Sequence, residues 1–401
     1  MASSPVSSDA VPTQVCAQCA STVPAGRFCG VCGAESGRST DRRLTLLRPQ
    51  VFAVAPRERV LLPMVTSTLF PHLPQVYRNP FRLGMVVMLA GVVVCSVLRW
   101  LGPLVTLVAL GVPLLFVLYL WQSNLLRDLP NHALVIASAL GATLGVGWVL
   151  GTGGLVARSY GIPMAVGFVL QNVVGVGLII SVGGAVLMVL PAVVVRLLKP
   201  PRESLDGFVI GALGALSFTG AATTTRLAPQ FVSGLIENVR PLRLFVEAVL
   251  YGVTVPLTAA AVGGLIGILL WFRPGTRAGE RPGRVRAVLA LFTVLAGMVY
   301  AAIWLVDASR LPKWPQLGLH ILIAVVALLT ARVCVQLALL HEQPDPATGQ
   351  PVLCVHCERV VPDMAFCPAC GVAARASSRS SRRQRRESPP TLHDSADTAD
   401  V

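Results

Sequence analysis

The sequence predicts an all-α polytopic membrane bundle of about eight transmembrane helices, with a small four-cysteine zinc ribbon at each end. Of its 401 residues, 54% are hydrophobic and only 13% are charged, and the mean hydropathy is +0.69. Because about a quarter of a soluble chain is normally charged, a soluble enzyme is excluded. Disorder of the whole chain is excluded too, since it requires low hydrophobicity. Long unbroken apolar runs favour helices over the alternating strands of a membrane barrel.

The ribbons are predicted from the cysteines, eight of which form two tetrads near the chain ends. The tetrads share the pattern C-x2-C-x9-C-x2-C-G and comprise Cys16, Cys19, Cys29 and Cys32, then Cys354, Cys357, Cys367 and Cys370. Two such knuckles place four thiolates tetrahedrally around Zn²⁺, and Gly33 and Gly371 permit the tight turns that follow. We therefore expect two structural zinc ions.

The two ribbons also repeat each other outside the cysteines. Val23-Pro24 matches Val361-Pro362, and Phe28 matches Phe366, each just before a third cysteine. One unit thus occurs twice, and chain ends on the same side of a membrane could pack these units together.

A disulfide framework is the alternative interpretation of the tetrads. The first 80 residues contain no signal peptide and no long apolar run, so we do not expect this end to be secreted. His356 lies inside a complete cysteine set and is expected to be an exposed loop residue. Cys95 and Cys334 lie in apolar stretches and are expected to be small buried hydrophobic residues.

Eight apolar segments are long enough to cross about 30 Å of hydrocarbon. They are 82–101, 103–121, 132–152, 164–198, 207–226, 242–272, 285–306 and 317–340. A break near Gly183-Gly184 would divide the fourth segment and give nine or ten crossings. We favour eight, because thiolate zinc sites at both ends place both termini in the reducing cytosol and so require an even number.

Loop charges agree with this orientation only in part. The chain carries a formal net charge of +14, and the predicted inner loop 273–286 is rich in arginine, as cytoplasmic loops should be. The predicted outer segment 226–243 also carries arginines, which weakens the excess of positive charge on the predicted inner loops. The expected location is a cytoplasmic (inner) membrane with both termini in the cytosol.

The remaining segments are assigned by composition. In order, we predict a disordered stretch (1–15), a zinc ribbon (16–33), a linker and interfacial segment (34–81), the helical bundle (82–340), a second ribbon (354–371) and a disordered Arg/Ser-rich tail (372–401). The arginines of the tail either dock on anionic lipid or are merely solvated, and nucleic acid is the less favoured partner.

Ionisable residues near the membrane are few and therefore informative. They are Arg196, Asp206, Arg226, Glu247, Asp307, His320 and Arg332. Most lie at predicted helix ends, where snorkelling explains them. Glu247 is one turn beyond Arg243 and could form an ion pair with it, and His320 could simply face headgroups.

A polar groove between helices is one interpretation of Asp206, Thr223, Glu247 and His320. The alternative for the threonine cluster is hydroxyls bonded to carbonyls of their own helix. No paired carboxylates, HExxH motif or Ser/His/Asp set is evident, so we assign no catalytic residue.

The segment 190–226, LPAVVVRLLKPPRESLDGFVIGALGALSFTGAATTTR, resembles the central region of PrsW-type intramembrane proteases of bacteria. Pro191 and the run Asp206-Gly207-x3-Gly211-Ala212 fit the family pattern, and His320 matches a family histidine. The family's paired glutamates are replaced by Ala192 and Val193, and its lysine by Arg196. Its later glutamate falls among Ala221, Ala222 and Thr223. The resemblance implies a protease-like scaffold without the acids that activate water.

Pairs of glycines four residues apart recur in the spans, namely Gly141-x3-Gly145, Gly207-x3-Gly211 and Gly263-x3-Gly267. Such pairs let helix backbones approach closely, and we favour packing within the chain over a dimer face.

Two classes of function remain. We favour a non-catalytic membrane scaffold or sensor, whose bundle binds lipid or a membrane partner and whose ribbons recruit unidentified cytosolic proteins. The alternative is a membrane-embedded protease-like enzyme or a small-molecule transporter.

Overall fold

A computed structural model describes residues 12–37, 51–56, 58–160, 170–198, 203–233, 240–275, 282–308 and 311–388. It divides into two units, one formed by residues 1–60 and 344–401 and the other by residues 61–343. The first contains both cysteine tetrads, and the second contains the membrane helices.

The helical unit begins with the short helix α1 and continues through ten further helices. Their bounds are α1 Val65–Leu69, α2 Gln75–Val97, α3 Leu101–Gln122, α4 Leu125–Asp128, α5 Asn131–Tyr160, α6 Leu170–Leu198, α7 Ser204–Ser233, α8 Pro241–Val249, α9 Val255–Trp271, α10 Pro282–Ala308 and α11 Lys313–His341. A π-helical turn, Leu250–Thr254, joins α8 to α9 without a break. Pro241 and Pro282 open their helices at the first position, where the missing N–H costs nothing.

Eight helical segments in the described part of the chain are long and apolar enough to span a membrane. They lie at the positions that hydropathy predicts, and α8, the π-turn and α9 together make one span, Pro241–Trp271. Helix α6 continues through Gly183 and Gly184, so the alternative of two short crossings is wrong for the described residues. The start of that predicted span, at 164–169, lies outside them.

Helix α7 forms the centre of this unit, since 83% of its membrane window is buried. Its two predicted glycines face the pair on α9: a Cβ added at Gly207 or Gly211 would meet the carbonyl oxygen of Gly267 or Gly263, respectively. On another side of α7, Gly141 of α5 lies against the carbonyl of Gly214. The prediction that these glycines serve packing within the chain is therefore confirmed.

The other unit contains two β-hairpins of the same register. Strand β1 (Thr13–Val15) pairs antiparallel with β2 (Thr22–Pro24), and β3 (Pro351–Leu353) pairs with β4 (Val360–Pro362). Thr13 lies opposite Pro24, and Pro351 lies opposite Pro362, which are the same positions of the sequence repeat.

Strand β1 (Thr13–Val15) lies in the stretch 1–15 that composition predicts to be disordered, and the predicted linker and tail also contain ordered residues where the structure describes them. In the linker, residues 52–55 are buried and Ala53 accepts a backbone hydrogen bond from Ala373. In the tail, a 3-10 turn (Ala374–Ala376) precedes helix α12 (Arg379–Glu387). Composition does not predict α12, because ion pairs between its arginines and carboxylates that are distant in the sequence stabilise it. Residues 1–11 and 389–401 of the predicted disordered ends lie outside the described part.

Candidate metal centres and a polar membrane cavity

The first cysteine tetrad forms a closed cluster of thiols at the end of the β1–β2 hairpin. The sulfur of Cys16 lies 3.7 Å from that of Cys32, and the same distance separates Cys19 from Cys29. All four sulfurs lie within 4.8 Å of one another. Four sulfurs bound at about 2.3 Å around a tetrahedral ion are about 3.8 Å apart, so the cluster has the size of a metal site.

The second tetrad repeats this arrangement beside the β3–β4 hairpin. Cys354 lies 3.9 Å from Cys370, and Cys357 lies 3.9 Å from Cys367. Each cluster ends in the same turn, in which the N–H of Gly33 or Gly371 donates to the carbonyl of the third cysteine, and both glycines have positive φ angles, +72° and +76°. All eight predicted ligands thus lie in two groups that could each hold a metal ion.

The two ribbons pack on each other through reciprocal contacts. The N–H of Phe28 donates to the carbonyl of Pro368, and the N–H of Phe366 donates to the carbonyl of Gly30, both at 2.9 Å. Because these pairs occupy matching positions of the repeat, they are related as in an isologous dimer.

The aromatic rings follow the same symmetry. The ring of Phe366 covers Gly33, and the ring of Phe28 covers Gly371, so closely that an added Cβ would lie 2.8 to 2.9 Å from a ring carbon. Both phenylalanines are buried. These residues repeat in the sequence, and in the structure they form the interface between the ribbons.

In each cluster, hydrogen bonds between the thiols lower the pKa of at least one cysteine. The thiol of Cys32 lowers the pKa of Cys29, against the effect of burial. The thiols of Cys357, Cys367 and Cys370 likewise lower the pKa of Cys354. A thiolate is the form that ligates a metal, and each cluster thus contains a cysteine shifted toward that form. Burial raises the pKa of Cys16, and hydrogen bonds to Cys354 raise the pKa of Cys367 and Cys370.

Helix α12 lies against the second ribbon through ion pairs. Arg382 and Arg375 both contact Asp345, at 3.2 and 2.9 Å, and Arg386 contacts Asp363 at 2.9 Å. Burial alone would raise the pKa of Asp345, but the arginines hold it below its usual range. The tail is therefore a folded part of the ribbon unit over Arg379–Glu387.

His356 departs from its predicted environment. Only 8% of it is exposed, and it lines a small cavity of about 40 Å³ next to Cys354, together with arginines of α12. It is buried because α12 covers this side of the ribbon, which composition did not predict. The metal-binding groups found in the described residues consist of cysteines alone. Cys95 and Cys334 are free and buried, as expected for small hydrophobic residues.

The structure does not assemble the predicted groove from its four residues. Asp206 is buried in the first turn of α7, and Thr223 lies 17 residues further on, about 25 Å along the helix. Glu247 pairs with Arg243 at 3.2 Å and with Lys313 at 3.8 Å, which agrees with the ion-pair interpretation of Glu247. The sequence grouped these residues only because they are polar, and the structure places them at different ends of the helices.

His320 is buried rather than turned toward headgroups. It is 1% exposed, and its Nε2 lies 3.0 Å from Oδ1 of Asp307 near the end of α10. Gln316 donates to the same oxygen at 2.7 Å. Asp307 and Gln316 were missed as partners because the pairing depends on how α10 and α11 pack.

A cavity of about 70 Å³ lies beside this pair in the helical unit. We call it the polar cavity because charged and hydroxyl groups lie among its largely apolar walls. Its walls come from α5, α6, α7, α10 and the segment where the π-turn enters α9, and they include Thr223, Arg226, Tyr251, Tyr300 and Asp307. Thr223 is the one member of the predicted groove that lines it directly. The neighbouring Thr219, Thr224 and Thr225 bond back to carbonyls of α7, as the alternative interpretation expects.

Arg332 also contradicts the snorkelling interpretation. It is completely buried in α11 and donates to the hydroxyls of Ser67 and Thr68 in α1, at 2.6 and 3.3 Å. The short helix α1 thus supplies polar partners that hydropathy alone does not reveal.

Comparisons with known proteins add no relative. No protein-family model, no curated protein and no solved structure matches this chain.

Proposed function

We propose that this chain is a non-catalytic integral membrane scaffold or sensor, in which a zinc-bound double ribbon recruits cytosolic protein partners. The observation that carries the proposal is the reciprocal packing of two four-cysteine ribbons from opposite ends of the chain. Neither ribbon has a large core of its own, so together they make a rigid surface whose shape depends on metal. Such a surface suits protein recognition rather than chemistry.

Zinc is the proposed metal because both ligand sets are four thiolates at tetrahedral spacing. Soft thiolate ligands and closed tetrahedral geometry are typical of structural Zn²⁺ sites. The proposed compartment is the cytosol, since free thiols persist in a reducing environment. Eight crossings bring both ends to that side, which agrees with the ends folding into one unit.

The proposed absence of catalysis rests on the resemblance to PrsW-type proteases and on what replaces their acids. Ala192 is buried in α6, where the family has a glutamate, and Pro191 packs against Gly214 of α7. We therefore propose an inactive descendant that retains a proline-led helix beside a small-residue helix. Lipid around the bundle is the second proposed partner.

Metal analysis of the purified full chain tests the zinc part. We expect about two zinc ions per chain by elemental mass spectrometry, and about one after Cys29→Ser or Cys367→Ser. Cys95→Ser is the matched control and should keep both ions, because Cys95 lies outside the clusters. Metal near zero in the reduced wild-type protein would refute the zinc assignment.

Photo-crosslinking in cells tests recruitment. Val15 and Leu353 occupy matching, exposed positions of the two ribbons and are suitable sites for a photoreactive residue. We expect adducts with cytosolic proteins that disappear when Cys29→Ser is added. Leu311, an exposed residue of the helical unit, is the control site. Equal adducts from all three sites would contradict the proposal.

A membrane-embedded enzyme is the second candidate, and the Asp307–His320 pair beside a polar cavity favours it. The test is cleavage of a tethered membrane substrate by the purified protein, with Asp307→Asn as control. We expect no cleavage by either protein. Cleavage by the wild type that is lost in Asp307→Asn would replace the scaffold proposal.

A further inference from the structure

The polar cavity of the helical unit carries charges of both signs. Arg226 of α7 and Asp307 of α10 both line it, among the hydroxyls of Thr223, Tyr251 and Tyr300. In a membrane protein such charges are costly, and they generally mark a site that binds or moves a polar group. A ligand of this cavity must therefore complement both charges.

Arg226 supplies the positive side. Its guanidinium lies over the ring of Tyr251, 5.8 Å from the ring centroid, and the arginine is exposed. Tyr251 belongs to the π-helical turn, and such turns often occur where a helix redirects a side chain toward a functional site. An exposed guanidinium held by an aromatic ring is suited to binding a carboxylate or phosphate.

Asp307 supplies the negative side in a fixed orientation. Its Oδ1 is held by Gln316 and by His320, at 2.7 and 3.0 Å. The Nδ1 atom of His320, which is buried, has no hydrogen-bond partner in the described structure. With Oδ1 held in this way, Oδ2 is the acceptor that can meet a ligand.

Aromatic side chains complete the walls near these charges. The indole of Trp148 lies against Gly183 and Gly184 of α6, where an added Cβ would lie 2.7 Å from a ring carbon of Trp148 at Gly183. This glycine pair therefore makes room for the ring instead of breaking the helix. Trp148 and Tyr300 both line the cavity, and aromatic faces attract ammonium groups.

We propose that this cavity binds a compact zwitterion, with its anionic group on Arg226 and its ammonium on Asp307 and the neighbouring aromatic rings. A volume of about 70 Å³ excludes a drug-sized ligand, so the proposed ligand is compact. Binding at this site does not depend on the ribbons, because every contributing residue belongs to the helical unit.

The same chemistry occurs in the headgroup of phosphatidylethanolamine and in a free zwitterion such as phosphoethanolamine. Native mass spectrometry of the delipidated full chain in detergent distinguishes them. The probes are dihexanoyl phosphatidylethanolamine, soluble phosphoethanolamine, and dihexanoyl phosphatidylglycerol, which carries the anion without the ammonium. We expect retention of one or both ethanolamine probes, with at least roughly tenfold weaker binding of the phosphatidylglycerol.

Binding of the short-chain lipid alone identifies a headgroup site, and binding of phosphoethanolamine identifies a soluble ligand. Arg226→Gln and Asp307→Asn should each weaken retention roughly tenfold or more. Arg243→Gln is the matched control, because Arg243 pairs with Glu247 and does not line the cavity. Its affinity should remain that of the wild type.

Arg226→Gln or Asp307→Asn would also lose binding if the variant failed to fold. Tyr300→Phe is a milder test, because it removes one hydroxyl and keeps the ring. It should weaken binding a few-fold without changing the melting temperature of the free protein. The proposal is overturned if no ethanolamine probe binds the folded wild type, or if Arg226→Gln and Asp307→Asn bind as tightly as Arg243→Gln. Neither outcome affects the test of the ribbons.

Discussion

Single glycines decide how closely the two ribbons pack. Gly33 and Gly371 have positive φ angles and also lie beneath the phenylalanine of the other ribbon. The positive φ angle is a requirement of the knuckle, and the space beneath the ring is a requirement of the interface. The first was predictable from the C-x2-C-G pattern, and the second was not, because spacing does not reveal what covers a turn.

Gly33→Ala should therefore destabilise the ribbon unit for two reasons. The left-handed backbone costs an alanine about 1–2 kcal/mol, and the clash with Phe366 adds about 1–3 kcal/mol. Release of metal to a chelator and thermal unfolding of the full chain measure the effect. Gly37→Ala is the control, since Gly37 has φ +81° but nothing lies within 4 Å of an added Cβ. Equal losses for the two variants would show that the ribbons do not pack as described.

At the scale of elements, helix α12 shows how charges can order a segment that composition predicts to be disordered. Arg382 and Arg386 join it to Asp345 and Asp363, which lie on either side of the second hairpin. Because no apolar pattern marks this helix, sequence periodicity could not predict it.

Asp345→Asn should loosen α12 and expose it to trypsin. Loss of the partly buried pairs with Arg375 and Arg382 costs about 1 kcal/mol, or roughly fivefold faster cleavage within the helix, measured by mass spectrometry of the fragments. Glu387→Gln removes a highly exposed pair with Arg383 and should change the rate little. If Asp345→Asn cleaves no faster than Glu387→Gln, these ion pairs do not hold the helix.

The lowered pKa of Asp345 also sets the direction of a pH effect. A carboxyl whose pKa is lower in the folded state stabilises that state above its unfolded pKa, and the contribution is lost as pH falls through the folded value. We therefore expect the difference in trypsin cleavage rate between wild type and Asp345→Asn to be fully present at neutral pH.

The sequence predicted a glycine packing motif in α7 and another in α9, but it did not predict that these two helices contact each other. Each helix carries a Gly-x3-Gly sequence, and only the structure shows that the two motifs face each other. Gly211→Ala should lower the stability of the bundle by about 1–3 kcal/mol, because the added methyl meets the carbonyl of Gly263. Thermal unfolding in detergent measures this.

Gly147→Ala provides the control for that substitution. Gly147 also lies within a membrane helix, but an added Cβ there meets nothing within 4 Å. Its variant should be neutral or slightly more stable, since alanine favours helix more than glycine does. Similar melting temperatures for the two variants would contradict the proposed contact between α7 and α9.

At the scale of the whole molecule, hydropathy and cysteine spacing predicted most of the architecture. Eight spans and two four-cysteine clusters follow from patterns that are local in sequence. The polar cavity was largely missed, because Arg226, Asp307 and His320 each lie near the end of a predicted span, where snorkelling explains a charge equally well. Only the packing of several helices brings them together, and no single stretch of sequence encodes that packing.

We propose that the two ends of the chain meet as one double ribbon whose fold depends on metal. Met364 of the second ribbon covers Gly30 of the first, so photo-methionine incorporated in living cells reports this contact without any substitution. We predict a crosslink between Met364 and the peptide containing Gly30, detected by mass spectrometry and lost after metal chelation. Absence of this crosslink in metal-loaded protein, while other photo-methionine crosslinks form, would contradict the account.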